Sequence, residues 1–126
     1  MSRTIIIAAA VNIALTASAF AAEGWGIDHE KVTRTEAKVV DLLCEVTGNC
    51  VPNCGTGKRQ LGLLLDSGKL VPVVKNNDQF AGAIQDLIPF CNKRIVADGL
   101  TISNPKMSMF QLQFLRAAPK GQPKGK

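Results

Sequence analysis

Apolar residues along this chain change their spacing several times, and each change marks an element. From Lys38 to Val46 they alternate, so that Val40, Leu42, Cys44 and Val46 would share one face of a first strand. Thr47 to Gln60 breaks the pattern with Gly, Asn, Pro and Cys and is expected to be a loop. Alternation returns at Leu61–Asp66, with Leu61, Leu63 and Leu65 inward. Asp66-Ser67-Gly68-Lys69 then supplies a tight hairpin turn, and Leu70–Lys75 comes back as a third strand. Pro72 cannot donate a ladder hydrogen bond, which places it at an edge or an irregularity. Next, Phe80, Ala83, Ile84, Leu87 and Ile88 recur at three and four residues, the spacing of one helix face. Asn77 or Asp78 can cap that helix, and Pro89 ends it near Leu87 or Ile88. Arg94–Ile102 is the fourth strand, bent or bulged at Gly99, and Asn104-Pro105-Lys106 is a turn. Met107–Leu115 is the fifth strand, with Phe110, Leu112 and Phe114 alternating against Gln111 and Gln113.

Five strands with a helix between the third and the fourth is the element order of a mainly β, OB-like Greek-key barrel, in which the helix plugs one end. The barrel is expected to span residues 37–117. Residues 22–36 are polar and mixed and read as an exposed arm, and residues 118–126 read as a disordered basic tail.

The amino terminus changes the picture of where this barrel works. One positive charge, Arg3, precedes an apolar run from Ile5 to Leu15, and small residues follow through Ala22. That is the layout of a secretory signal over residues 1–21, with cleavage expected after Ala21. The apolar run is shorter than the roughly 20 residues a membrane-spanning helix needs. No span is expected to remain after cleavage, and the setting is periplasmic or secreted.

Charge then argues against one class of partner. The chain carries 15 Lys plus Arg against 10 Asp plus Glu, a net +5, and loss of Arg3 lowers this to +4. Lys120, Lys124 and Lys126 hold three of those charges, so the folded body is close to neutral. The second and third strands carry no aromatic residue, and the chain has no Tyr. Single-strand nucleic-acid binders use stacking aromatics beside a basic groove, so nucleic acid is not an expected partner.

All four cysteines, Cys44, Cys50, Cys54 and Cys91, lie in the part that would be exported. An even number in an oxidising compartment suggests two disulfides, and three pairings remain open. The residues Val39-Val40-Asp41-Leu42-Leu43-Cys44, Cys50-x3-Cys54 and Gln60-Leu61-Gly62-Leu63-Leu64-x-Asp66-x-Gly68-Lys69 resemble those of small exported bacterial OB-like proteins of unassigned function. The resemblance covers roughly residues 38–75, more loosely through Arg116. It implies the fold and a periplasmic setting, and it carries no catalytic residue with it.

Other chemistry for the cysteines has specific requirements. Cys50-x3-Cys54 has the spacing of copper-carrying exported proteins, and thiolates are soft ligands for Cu(I). The only histidine, His29, lies upstream in the expected arm, and no Met stands near the cluster. Thiol–disulfide enzymes place Cys-x-x-Cys at a helix start, a spacing this chain lacks. Gly55-Thr56-Gly57-Lys58-Arg59 lacks the full phosphate-loop spacing and precedes a strand. A solvated turn is the plainer expectation, although Lys58 and Arg59 could contact an anion or an acidic partner surface. His29 reads as a solvated arm residue rather than a catalytic base, and no Ser-His-Asp or Cys-His set pairs convincingly with it. The expectation is a non-enzymatic binding or accessory module without a cofactor, meeting a protein partner or small ligand in the cell envelope. The alternative is a cysteine-based accessory of a respiratory complex, carrying copper on Cys50 and Cys54 or exchanging disulfides.

Overall fold

The computed structural model describes residues 22–74 and 84–119. The expected signal peptide, the basic tail from Lys120 on, and Lys75, Phe80 and Ala83 lie outside the described residues. Five strands form a closed barrel: β1 (Glu30–Asp41), β2 (Leu61–Leu65), β3 (Leu70–Val74), β4 (Arg94–Ser103) and β5 (Ser108–Ala117). Their order around the barrel is β1-β2-β3-β5-β4, with β4 closing onto β1. All pairings are antiparallel except β3 with β5, which is parallel. This is the expected OB-like Greek-key architecture.

β1 is longer than the sequence pattern suggests. Residues 30–36, expected in the arm, pair with β4 from Glu30↔Ile102 onward; Ala37 and Lys38 pair with both β4 and β2, and Val39 to Asp41 continue along β2. The apolar alternation there is weak because Thr33 and Thr35 occupy the inward positions. Before β1, the chain is not wholly free either. Ala22 is buried, and the Glu23 backbone exchanges two hydrogen bonds with the Gln113 side chain, at 2.9 and 2.8 Å.

The other end of β1 corrects a second expectation. The strand stops at Asp41, and Leu42–Thr47 is a short helix, α1, so Leu42, Cys44 and Val46 do not continue a strand face. Asp41 causes the change: its side chain accepts from the Leu43 and Cys44 amides, an N-cap that outcompetes the extended pattern. Gly48, at φ 75°, ends the helix. Leu42 lies against Gly62 of β2, where a Cβ would come within 2.5 Å of its Cδ2.

Inside the barrel, Ala37, Val39, Leu61, Leu63, Val71, Val73, Ile95, Ala97, Phe110 and Leu112 form the core. The helix between β3 and β4 is described from Ile84 to Leu87 (α2) and tightens into a 3-10 turn, Ile88–Phe90, at Pro89. Leu87 is buried in the core, with Ile88 and Phe90 packed beside it, so this connection plugs the end where β1 finishes and β4 begins. The expected hairpin is present, with Gly68 at φ 85° and bonds between Leu65 and Lys69 and from Gly68 back to Leu65. Pro72 stands opposite Gly62 without a register shift, rather than at the expected irregularity, and the β3–β5 pairing starts one residue later, at Val73.

The register of β4 against β5 shifts between Asp98 and Gly99, where the sequence placed a bulge. The extra residue lies on β5: Asp98 faces Phe114 and Gly99 faces Leu112, leaving Gln113 unopposed. The alternation of β5 therefore reverses after Leu112. Leu115 turns to the core and Phe114, expected inward, is 55% exposed.

Candidate functional site, the disulfide-tied loop at the plugged end

The segment between β1 and β2 holds three of the four cysteines, and the structure selects one of the three pairings. Cys44 is bonded to Cys50, and Cys54 to Cys91. The first bridge closes a loop within the segment, tying α1 to the chain just after it. The second crosses 37 residues and fastens the loop to the residue following the 3-10 turn of the plug. Cys54 is buried against the core, whereas Cys50 is exposed.

Asp41 and Arg59 hold the two ends of the segment. One Asp41 carboxylate oxygen caps α1, at 2.9 Å from the Leu43 amide. The other accepts from Arg59 Nη1 at 3.1 Å. Arg59 also donates to the Asn49 carbonyl and, at 2.8 Å, to the Asn49 side-chain oxygen. The Asp41 side chain is 5% exposed and that of Arg59 17%, so this is a sheltered ion pair whose remaining capacity is filled by polar partners. The sequence offers Arg59 as a contact for an anion or a partner, whereas its partner is Asp41, 18 residues earlier in the chain. An Asp just before a helix-compatible run was the available signal for the cap.

Between the bridges the backbone takes an unusual course. Asn53, Cys54, Gly55, Thr56 and Gly57 have φ of 52°, 53°, 83°, 53° and 87°. Left-handed backbone costs a residue with a side chain roughly 1–2 kcal/mol, and here three such residues adopt it within one turn. The turn is secured by bonds from the Thr56 amide to the Asn53 carbonyl, at 3.1 Å, and from Lys58 to Gly55, at 3.0 Å. Gly55 has the Arg59 side chain directly over it; a Cβ would stand 2.7 Å from Arg59 Cγ.

The residues singled out from the sequence are thus brought together unequally. All four cysteines are in disulfides. Cys50 and Cys54, the alternative copper pair, belong to different bridges, so neither presents a thiolate in this state. Among the described residues, no group of three or more His, Cys, Asp or Glu side chains could hold a metal ion. Lys58 is exposed, while Arg59 is held by Asp41 and Asn49. His29 lies in a turn at φ 68°, before β1 and remote in sequence from the loop.

The tied segment offers a surface. Leu43, Val46 and Val51 are 51%, 72% and 37% exposed. Val51 also borders an open depression, with Pro52, Gly55, Thr56, Lys58 and Arg59. Among the described residues no helix is long and apolar enough to cross a membrane. The chain matches no protein-family model, no curated protein and no solved structure.

Proposed function

We propose that this protein is an exported, non-enzymatic binding module that meets a protein partner in the cell envelope through the disulfide-tied loop. The observation that carries the reading is the loop itself. Two disulfides and the Asp41–Arg59 pair hold an outward-facing segment that carries exposed Leu43, Val46 and Val51 with Lys58 among them. A pre-ordered surface loses less conformational freedom on association, and apolar anchors beside one cation suit a partner patch that is apolar with an acidic margin. The signal-like terminus supports a periplasmic or secreted setting, as do the four paired cysteines. The motif resemblance to small exported bacterial OB-like proteins points the same way.

A photo-crosslinking residue placed at Val46, in cells that export the protein, tests the reading. The expected result is a discrete protein adduct that is lost with Lys58→Glu and is absent when the probe stands at Ser67, on the hairpin at the opposite end. Adducts of equal yield from both positions, or none from Val46, would overturn it. Titration of the protein released by osmotic shock is expected to give no reactive thiols and no bound copper. Free thiols with stoichiometric copper would favour the cysteine-metal alternative instead.

A further inference from the structure

The barrel interior at the end opposite the plug is not completely filled. A cavity of about 100 Å³ lies there, bounded by Leu63, Leu65, Val71 and Phe110 below and by Thr33, Thr35, Thr101 and Ser108 nearer the mouth. Lys69, on the β2–β3 hairpin, also borders it. The Lys69 ammonium donates to Ser108 Oγ at 2.8 Å, and Ser108 Oγ is in turn hydrogen-bonded to Ser103 Oγ. No carboxylate among the described residues pairs with Lys69. The cavity therefore has an apolar floor, a belt of hydroxyls and one cation at the rim.

We propose that this mouth binds a small aliphatic carboxylate, with its tail on Leu63, Leu65, Val71 and Phe110 and its carboxylate at Lys69 and Ser108. The charge at the rim selects an anion over a cation. The Thr33 hydroxyl already donates to the Lys31 carbonyl at 2.9 Å, which leaves Thr35, Thr101 and Ser108 to offer donors for a carboxylate's several lone pairs. Size limits the tail: at on the order of 30 Å³ for a water-sized group, the space takes about three carbon groups. A four-carbon acid is the matched probe. This site lies at the other end of the barrel from the tied loop, so it stands or falls independently of the protein partner proposed above.

The test is a titration of the ¹⁵N-labelled, disulfide-intact protein with butyrate, followed by amide chemical shifts. Saturable shifts at Lys69, Ser108 and Phe110 are expected at millimolar butyrate. Butylamine and acetate are expected to shift none of these amides saturably, the first for its charge and the second for its missing tail. Lys69→Met, an exposed hairpin substitution, is expected to weaken butyrate binding about tenfold, the scale of one hydrogen bond to a charged group. The unchanged spectrum of the remaining residues would show that the variant is folded. Absence of saturable shifts with butyrate, equal binding of butylamine, or undiminished binding by Lys69→Met would overturn the proposal.

Discussion

Single residues carry much of what makes this barrel close. Gly99 sits at the register shift, where a Cβ would fall 1.9 Å from the Gln111 carbonyl oxygen and 2.9 Å from the Phe110 ring. Backbone offers no easy retreat, so Gly99→Ala is expected to cost about 3 kcal/mol or more. Gly68→Ala meets open space but must keep φ near 85°, and about 1 kcal/mol is expected. Chemical denaturation of the two variants checks the contrast. Glu30 supplies a pH-dependent contact. Its desolvation would raise the carboxyl pKa, but hydrogen bonds from the Gly26, Trp25 and Ile27 amides outweigh it and hold the pKa below the ordinary value. A depressed folded-state pKa stabilises the bound turn above the ordinary glutamate pKa of about 4.3, and that contribution is lost as pH falls through the lower folded-state value. The turn contains Trp25, the only tryptophan in the chain. Its fluorescence is expected to change with a midpoint below pH about 4.3, and Glu30→Gln is expected to abolish that transition.

At the scale of elements, the two disulfides should be unequal. The chain-entropy argument gives about 4 kcal/mol for the 37-residue separation of Cys54–Cys91 and about 2 kcal/mol for the six-residue separation of Cys44–Cys50. Paired Cys→Ala variants, melted under non-reducing conditions, are expected to rank that way. The Cys54–Cys91 variant is also expected to relax the left-handed turn, seen as lost amide protection at Thr56 and Lys58. Asp41→Ala removes the α1 cap and leaves Arg59 sheltered without its carboxylate, and a loss of about 2–3 kcal/mol is expected on denaturation. These elements differ in how far the sequence announced them. β2, the Gly68 hairpin, β3 and β4 were legible because alternating apolar residues sat between strong turn residues. The start of β1 was obscured by inward Thr33 and Thr35, and its end by a local cap that overrode the period of Val40, Leu42, Cys44 and Val46. Gly99 marked the level of the bulge, but the extra residue, Gln113, lies on the facing strand β5, where the alternation of Phe110, Leu112 and Phe114 gives no sign of it. Asp98 is similarly silent in sequence. It is 3% exposed and paired with Arg34 across the strands at 2.6 Å, a contact that exists only because β1 reaches back past Arg34 to lie along β4. In the tied loop the cysteines were legible as disulfide formers, but their pairing required the position of the plug.

As a whole molecule, the barrel separates its two ends by construction. The β1–β2 loop, the plug and the Cys54–Cys91 bridge gather at one end. The β2–β3 hairpin and the β4–β5 turn meet at the other, where Lys69 reaches Ser108. Arg94 braces β4 against both Glu36 of β1 and Asp66 of the hairpin, at 3.0 and 2.9 Å. Closure itself depends on the seam between β3 and β5. Among the described residues these strands are matched at Val73↔Phe110 and Val74↔Gln111, and β4 and β5 at nine positions. A closed barrel has no free strand edge to recruit another chain. If this seam parts, two edges appear at once, one of them on the apolar strand Leu70–Val74. Self-association should therefore begin from a barrel unzipped at β3 and β5 rather than from an unfolded chain. Two copies exchanging their β5 strands would be its first product.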